Sequence, residues 1–417
     1  MEQYQVDHLL LLVGSNPVPN AVAGKLLVKP GGTITLICSE DSLIVAQRLK
    51  SWLVRDGIKV REPNDSKVDP TDPTSIFTIV RKALDKTPDV SVGLNYTGGT
   101  KAMSVHAYRT VEQWGKEKNV QPKFSYLDAR TLTMVFDPED PQSGSNSQNV
   151  SVGNQVELKL SEIMELQGWQ INWEKEYVQT PLFPRTAAAL ARLYAGGDKK
   201  TRHWLDWLKY LESSIKKPKG DGQQALSQEE INVLQLPWVT STEGSQLRQV
   251  VDTLKSELGL VDYFAFSKLS RIMGAGEFVE WLKDKWLEHH VLDIVKNQPD
   301  LHDCVLSLRT DAVEFEVDVV GLKGYQLFVF SCTTSSSKSA LKQKLFEATT
   351  RARQLGGDEA CAALVCLYDD ASKLQKEVRD IFGENNGSER IKVLGREHLA
   401  NLSDEIAGWI KHQSNAQ

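Results

Sequence analysis

The fold of this 417-residue chain is decided by the stretch Leu94-Asn95-Tyr96-Thr97-Gly98-Gly99-Thr100-Lys101-Ala102-Met103. An apolar strand predicted over Val90–Leu94 runs into it, and a helix predicted from about Lys101 to Lys118 follows. Two adjacent glycines at such a corner let the backbone approach a ligand closely. The start of the helix adds unpaired N–H groups and a positive dipole end, which together suit a phosphate.

The corner follows neither of two common phosphate-binding patterns. The Gly-x4-Gly-Lys-Ser/Thr spacing of a Walker loop is absent, and so is the Gly-x-Gly-x-x-Gly dinucleotide fingerprint. Thr97, Thr100 and Lys101 nevertheless bring two hydroxyls and an ammonium to one point. A tight strand-to-helix turn with a helix cap explains the same residues without a ligand, so both interpretations stay open.

Composition places the chain among ordinary soluble proteins with two or three domains. The formal net charge of −6 excludes a globally basic nucleic-acid coat but leaves room for a local basic groove. Five cysteines are scattered without a Cys-x-x-Cys pair, which predicts buried free thiols. We see no signal peptide and no apolar stretch long enough for a membrane span, so we expect a cytoplasmic protein without a membrane partner.

Residues 8–136 alternate apolar strands with amphipathic helices, of which two are expected to be capped by Ser42 and Thr74. This alternation predicts a doubly wound, largely parallel sheet, whose ligands bind beyond the carboxyl ends of the strands. The loop Gly14-Ser15-Asn16-Pro17 and the Gly98-Gly99 corner both fall there, so we expect them to converge. The candidate ligand-binding residues are Gly14, Ser15, Asn16, Pro17, Ser39, Thr97, Gly98, Gly99, Thr100, Lys101 and Met103.

Changes of pattern divide the chain into three parts. We place an N-terminal α/β domain at residues 1–158, a helical connector at 159–275 and a C-terminal α/β domain at 276–417. The clearest linker is Asp137–Asn154, whose Pro, Gly, Ser, Asn and Gln residues cannot build a core. Alternatively, this segment closes a hairpin, because Asn149–Leu158 looks strand-like.

Acidic residues cluster in the C-terminal domain. Glu280 lies on its opening helix, and an acidic strand carries Glu314, Glu316 and Asp318 on one face, where they repel one another. Two carboxylates completed by water suit Mg²⁺ or Mn²⁺. An exposed edge strand defended by charge gives the same pattern and stays open as the alternative.

The order of these elements resembles the PD-(D/E)xK nuclease core, which has the restriction-endonuclease-like α/β fold. An acidic helix, an acidic strand, a second strand ending Phe330-Ser331-Cys332-Thr333 and a basic helix follow one another. The resemblance implies a divalent metal, Mg²⁺ or Mn²⁺, held by Glu280, Asp318 and the backbone carbonyl of Cys332.

The last motif of that family is altered in this chain. Ser331 stands where the family has glutamate, and Thr333 stands where it has lysine. Lys338 follows a serine run from which its ammonium could fold back, with Lys342 and Lys344 as less favoured substitutes; alternatively, Lys338 merely opens the next helix. The candidate catalytic residues are Glu280, Glu316, Asp318, Ser331 and Lys338.

The N-terminal half resembles the CARF domains (CRISPR-associated Rossmann fold), through its loop after the first strand and Gly98-Gly99-Thr100-Lys101-x-Met103. With the PD-(D/E)xK core, the resemblance covers roughly residues 5–140 and 275–395. The chain is thus similar to the ancillary nucleases of type III CRISPR systems. That resemblance implies a homodimer activated by one cyclic oligoadenylate, most often the tetra-adenylate, and metal-dependent cleavage of DNA, RNA or both.

Two other functions fit the same residues. A non-enzymatic regulator would use the ligand domain to control DNA binding through the middle helices, with a C-terminal core that is degenerate at Ser331 and Thr333. Alternatively, the ligand domain would slowly cleave its own ligand with Ser15, Thr97 and Lys101, although binding alone explains these three residues.

Overall fold

A computed structural model gives the structure of residues 1–86, 90–138, 147–171, 178–215, 245–259, 275–310, 316–382 and 388–415. Its first sheet has seven strands: β1 (Val6–Leu12), β2 (Val28–Ile37), β3 (Lys59–Val60), β4 (Val92–Asn95), β5 (Lys123–Asp128), β6 (Thr133–Phe136) and β7 (Gln148–Ser151). Their order across the sheet is β3-β2-β1-β4-β5-β6-β7. The first five strands in this order pair in parallel, and β6 and β7 extend the sheet antiparallel.

Four helices cover the two faces of this sheet: α1 (Val18–Leu27), α2 (Leu43–Arg55), α3 (Pro73–Asp85) and α4 (Lys101–Lys118). The central strand β1 is buried on both sides. Leu9 and Leu11 pack in the apolar cluster of α1 and α2, and Leu10 and Leu12 pack with α3 and α4. Because the chain order reverses between β1 and β4, the loops after these two strands open at the same edge. This is the Rossmann-like arrangement that the alternation predicts.

The starts of these helices differ in part from the sequence prediction. Asp72, not Thr74, caps α3, because its carboxylate accepts hydrogen bonds from the N–H groups of Thr74 and Ser75 (2.9 and 3.1 Å). Ser42 precedes α2, but its hydroxyl accepts from the N–H of Ser39 (2.9 Å) instead of from the helix. Helix α1 escapes prediction because it is buried on nearly every side and shows no polar face.

The described part of residues 159–275 is mainly helical, as expected for the connector. It contains α5 (Leu160–Gln167), α6 (Pro184–Ala195), α7 (Asp198–Ile215) and α8 (Ser245–Leu258). Helices α6, α7 and α8 share one apolar cluster, around Trp204 and Trp286, with the C-terminal part of the chain. Their packing therefore depends on the C-terminal unit.

The C-terminal sheet has five strands: β8 (His302–Arg309), β9 (Glu316–Lys323), β10 (Gln326–Thr333), β11 (Cys361–Cys366) and β12 (Ile391–Leu394). The order is β12-β11-β10-β9-β8, with β8, β9 and β10 antiparallel and β10, β11 and β12 parallel. Glu314, expected on the acidic strand, lies outside the described residues. The surrounding helices are α9 (Ala275–Glu280), a π-helical turn (Trp281–Lys285), α10 (Trp286–Lys296), α11 (Lys338–Gly356), α12 (Ala371–Phe382) and α13 (Leu402–Asn415).

One apolar cluster joins the two sheets. It contains Val18 of α1, Met164 of α5, Val320 of β9 and Leu355 of α11, all nearly inaccessible to solvent. The N-terminal and C-terminal units are therefore packed on one another through α5 and the end of α11, and this contact positions the sites described below.

The thiols agree with the sequence prediction: all five cysteines are free, and only Cys304 is partly exposed. Burial raises the pKa of Cys38 to about 11, so this thiol is inert at neutral pH. In the described ranges, no helix combines the length and the apolar character needed to cross a membrane.

Candidate ligand corner and acidic cleft

The loops after β1 and β4 meet at the carboxyl edge of the first sheet, and we call residues 14–17 and 97–101 the ligand corner. A Cβ on Gly14 would lie 3.0 Å from the Gly99 nitrogen, and one on Gly98 would overlap the Leu12 carbonyl oxygen. Gly99 has a φ of 75°, which disfavours other residues. The close approach of the two loops thus requires all three glycines.

Helix α4 points its N-terminus into the ligand corner. The Thr100 hydroxyl caps the helix, because it accepts a hydrogen bond from the N–H of Met103 (3.2 Å). Lys101 is the first helical residue and its side chain is exposed. Other N–H groups of the first turn have no partner within the helix, and the helix dipole is positive there. The corner therefore presents the donors and the positive charge that an anion needs.

Two of the predicted ligand residues, Thr97 and Ser39, have side-chain hydroxyls that are hydrogen-bonded within the protein. The Thr97 hydroxyl donates to Asn95 Oδ1 (2.8 Å) and accepts from the N–H of Leu127 (2.7 Å). The hydroxyl of Ser39, which is buried, lies 3.2 Å from that of Ser42. These side chains fix the edges of the corner, so a role for them in ligand contact would require their hydrogen bonds to open.

The remaining corner residues differ in how accessible they are. Pro17 and Met103 are buried, and the Met103 methyl group would lie 3.2 Å from a Cβ on Gly99. Ser15 and Lys101 are exposed. The side chains best placed to meet a ligand are therefore Ser15 and Lys101, supported by the backbone of the glycines.

Asn16 links the ligand corner to the rest of the chain. Its Nδ2 donates to Oε2 of Glu359, at the end of α11, over 3.0 Å. Its Oδ1 accepts from Nε2 of Gln167 (3.0 Å) and from the N–H of Val18 (3.2 Å). One amide thus holds together the ligand corner, the connector and the C-terminal unit.

A second candidate site, which we call the acidic cleft, comprises Lys285, Glu288, Glu316 and Asp318. Asp318 Oδ2 accepts hydrogen bonds from the N–H of Cys332 (2.7 Å) and from the hydroxyl of Ser331 (3.2 Å). These two bonds from β10 fix the orientation of the Asp318 carboxylate. Ser331 therefore lies beside Asp318, as the sequence interpretation requires.

The helix acid that the structure brings to Asp318 is Glu288, not Glu280. Glu280 is exposed at the end of α9, whereas Glu288 on α10 is only 6% exposed. Both carboxylate oxygens of Glu288 accept from Nζ of Lys285 (2.9 and 3.1 Å). A π-helical turn lies between Glu280 and Glu288, and such turns recur at functional sites.

The charges of the acidic cleft act on one another. Burial, and then the charge of Asp318, raises the pKa of Glu288 to about 7. Burial also raises the pKa of Asp318, against the hydrogen bond from Cys332 and the charges of Lys344 and Lys285. Two carboxyl groups that resist ionisation together form a place where an added cation would stabilise their charged forms.

Glu316 belongs to the outer side of this cleft. One of its oxygens accepts from Arg309 (2.6 Å), and the other is buried without a hydrogen-bond partner among the described residues. Although burial opposes it, hydrogen bonds from Ser307 and Arg309 lower the pKa of Glu316. Glu316 is thus a charged neighbour whose second oxygen remains available.

The donor set of the cleft fits a divalent metal only with help from water. Across the residues described, no three His, Cys, Asp or Glu side chains converge in metal-binding geometry. Glu288 and Asp318 supply two carboxylates, and Cys332 adds a backbone carbonyl. These hard oxygen donors are of the kind that Mg²⁺ and Mn²⁺ accept while keeping part of their hydration. The Lys285 ammonium already balances the charge of Glu288, as a bound cation would.

The structure does not bring the predicted lysine to this cleft. The ammonium of Lys338 is paired with Glu377 of α12, and so is that of Lys342 (2.8 Å). The lysines whose charges act on Asp318 are Lys344 and Lys285. Sequence reasoning does not identify Lys285 as a site residue. Its position three residues before Glu288, on the same helix face, is nevertheless a spacing typical of an ion pair.

No protein-family model matches the chain, and no curated protein matches its sequence. Among solved structures, protein VC1899 from Vibrio cholerae has a TM-score of 0.67 at 15% identity, over 97% of this chain and 98% of that one. Can2 from Sulfobacillus thermosulfidooxidans, solved in complex with cyclic tetra-adenylate, has a TM-score of 0.63 at 16% identity, over 97% of each chain. At such identities the likeness shows the fold alone. The chain has the Rossmann-like N-terminal domain and the C-terminal α/β domain in the arrangement of these two proteins.

Proposed function

We propose that this chain is a nuclease of type III CRISPR antiviral defence that cyclic tetra-adenylate activates and that requires Mg²⁺ or Mn²⁺. The observation that carries the proposal is the buried carboxyl pair of Asp318 and Glu288 in the acidic cleft, with the charges of Lys344 and Lys285 acting on Asp318. The substrate is DNA, RNA or both. The complex of Can2 with cyclic tetra-adenylate supports the choice of activator, because the two chains share one fold.

The ligand corner suits a cyclic oligoadenylate because that ligand is a ring of phosphates. The N-terminus of α4 and the ammonium of Lys101 would meet one phosphate, and the glycine backbone would allow the ring to lie close. In a homodimer, two such corners would face one ring from opposite sides. Ser15 would add a hydroxyl from the neighbouring loop.

In the acidic cleft, Asp318 and Glu288 would hold the metal together with the Cys332 carbonyl. The bound metal would supply Lewis-acid chemistry to the scissile phosphate and to an attacking water. Hydrogen bonds from Cys332 and Ser331 hold one oxygen of Asp318 in place, so its carboxylate is oriented before substrate arrives. Lys285 and Lys344 would stabilise the negative charge that develops on the phosphate, in the role the family gives to the lysine replaced by Thr333.

The second candidate is a cyclic-oligoadenylate-sensing regulator of DNA that does not cleave. Ser331 and Thr333 in place of glutamate and lysine favour it, as does the pair of carboxylates where three would hold a metal more firmly. Such a protein would bind the activator and DNA but would leave both intact.

The test is cleavage of labelled single-stranded DNA, RNA and supercoiled plasmid by the purified chain, with and without cyclic tetra-adenylate and Mn²⁺. We expect cleavage only with both, and none by the variant Asp318→Asn. Glu280→Gln is the matched control, since it removes an exposed charge from the helix before the cleft. Undiminished cleavage by Asp318→Asn would overturn the assignment of the cleft, and activator binding without any cleavage would favour the regulator.

A further inference from the structure

A polar contact between the ligand corner and the C-terminal unit is buried in the protein. In this contact, Nδ2 of Asn16 donates a hydrogen bond to Oε2 of Glu359, with 3.0 Å between the two atoms. Glu359 is fully inaccessible to solvent, and its Oε1 has no hydrogen-bond partner among the described residues. Neither residue belongs to the acidic cleft, so the nuclease chemistry gives no reason for this pair.

The pair sits at one end of α11, whose other end faces the acidic cleft. Glu359 follows α11 directly, in the turn Gly357–Glu359, and its carbonyl accepts from Nε2 of Gln326 (2.9 Å). The same helix begins at Lys338 and carries Lys344, whose charge acts on Asp318. A helix of this length spans about 28 Å at 1.5 Å per residue.

The backbone of the turn after α11 packs directly against the Asn16 side chain. Gly357 has a φ of 75°, and a Cβ there would overlap the Asn16 amide nitrogen. Nearby, Trp169 donates from its indole to the carbonyl of Gln354 in the last turn of α11 (3.3 Å). The guanidinium of Arg390 also crosses the boundary, because it donates both to Asp358 and to Ala129 of the N-terminal unit.

The energetics of the contact make it sensitive to small movements. If the loop of Asn16 moved away alone, Glu359 would lose its side-chain donor while its carboxyl group stayed buried, with Oε1 still unpartnered among the described residues. Leaving a buried polar group unpaired costs about 1–3 kcal/mol, and more for a charged one. The loop and the end of α11 are therefore held to move together.

We propose that the Asn16–Glu359 hydrogen bond couples occupancy of the ligand corner to the position of α11 and so to the acidic cleft. This inference rests on the proposed function, because it takes the ligand corner as the site of the activator. Asn16 directly follows Ser15, so a ligand that draws the loop inward pulls on Glu359. Both residues act as positioning residues, and neither touches the phosphates or the scissile bond.

The test compares Asn16→Ala and Glu359→Ala with Glu359→Gln, which keeps an oxygen that accepts from Asn16. Asp358→Asn is the matched control, since it changes the exposed acid next to Glu359. The readouts are the Kd for cyclic tetra-adenylate by calorimetry, the activator-induced change in hydrogen exchange of α11, and activated cleavage. Thermal unfolding checks that each variant is folded.

We expect both alanine variants to lose the activator-induced exchange response of α11. Because a coupling free energy is reciprocal, the Kd for the activator should change by a similar factor in Asn16→Ala and in Glu359→Ala. Their activation should fall by about 5- to 150-fold, the range of ordinary allosteric couplings. Glu359→Gln and Asp358→Asn should respond like the wild type. A Kd that weakens in Asn16→Ala but stays unchanged in Glu359→Ala would make Asn16 a ligand contact and overturn the coupling, and so would a normal exchange response in both alanine variants.

The hydrogen-exchange readout separates this inference from the proposed function. If the wild type binds the activator and α11 responds but nothing is cleaved, the nuclease assignment fails while the coupling stands. If activation is intact in folded Asn16→Ala and Glu359→Ala, the coupling fails while the nuclease assignment stands. A wild type that does not bind the activator would overturn the sensor assignment and the coupling with it.

Discussion

The replacement of Glu359 by glutamine should make the protein less sensitive to rising pH. Burial raises the pKa of this carboxyl group from an ordinary 4.5 to about 7, against partial stabilisation of the charge by its own backbone N–H and by Asn16. In the unfolded chain the group ionises near its ordinary value. Between pH 4.5 and pH 7 the folded state therefore holds a proton that the unfolded state has lost. By linkage, the free energy of unfolding falls as pH rises through this window and levels off above it.

The size of the effect follows from the shift. Each tenfold change in proton affinity is worth about 1.4 kcal/mol, so the ionisation of Glu359 lowers stability by about 3 kcal/mol at pH 8. With an unfolding entropy of about 2.1 cal/mol/K per residue over the whole chain, this corresponds to about 3 °C in melting temperature. Glutamine cannot ionise, so the Glu359→Gln variant escapes this loss.

The assay is thermal unfolding of the wild type and Glu359→Gln from pH 5 to pH 8 in buffer with a chelator. We expect the melting temperature of the variant minus that of the wild type to rise with pH, with most of the rise between pH 5 and pH 7. Glu288, whose pKa is also raised to about 7, is present in both proteins and cancels in the difference. Parallel profiles would refute the reasoning, because they would mean that Glu359 does not lie buried beside Asn16 with a raised pKa.

Three further predictions concern the two candidate sites. Lys101→Glu places a negative charge at the start of α4, so calorimetry should show affinity for cyclic tetra-adenylate about tenfold weaker or more, with a melting temperature near that of the wild type. Glu288→Gln should abolish activated cleavage while Glu280→Gln retains it; the opposite result in the same plasmid assay would restore the helix acid expected from the sequence. Lys285→Ala should lower turnover by about 10²–10³-fold. Lys338→Ala should cleave normally, because the ammonium of Lys338 is ion-paired with Glu377 in the wild type. A larger loss of turnover in Lys338→Ala than in Lys285→Ala would contradict the geometry.

The ligand corner could be predicted from the sequence because its signals are local. A strand, two glycines and a helix start lie within a few residues around Gly98 and Gly99, and strand alternation places the first loop at the same sheet edge. The role of Thr97 could not be found this way. Its hydroxyl bonds to the N–H of Leu127, 30 residues further on, and that contact exists only once β4 and β5 pair.

The sequence predicts a cluster of carboxylates in the C-terminal domain, but it does not identify every residue of the acidic cleft. Asp318 and Ser331 follow from the strand order, which places them on adjacent antiparallel strands. Glu280 is the helix acid that the family resemblance implies, and Glu288 lies beyond a π-helical turn that the sequence pattern does not reveal. Glu288 stands in residues 286–292, whose other members are apolar or histidine. A carboxyl group in such a run is a sign of burial that the sequence contains.

Lys338 shows the limit of arguments from spacing. The serine run before it suggests freedom to fold back toward the strands, but Glu377, 39 residues further along the chain, takes its ammonium. The hydrogen bonds from Lys338 and then Lys342 lower the pKa of Glu377 to about 2, so this carboxylate is charged at neutral pH. A lysine next to such a partner is held at the surface of α12, and the cleft must draw its positive charge from Lys285 and Lys344.

Asn16 and its neighbours in the loop differ in whether their side chains are already bonded within the protein. The sequence marks it as a ligand residue together with its neighbours, yet both ends of its amide are bonded to Gln167 and Glu359. A ligand contact at Asn16 would have to break one of these bonds, and breaking the bond to Glu359 would strand a buried carboxyl group. Gly14 and Ser15 are therefore the residues of this loop that could contact a ligand while these bonds stay intact. Because the next residue along the chain is hydrogen-bonded to Glu359, just beyond the end of α11, a ligand that displaces those two residues would strain this bond.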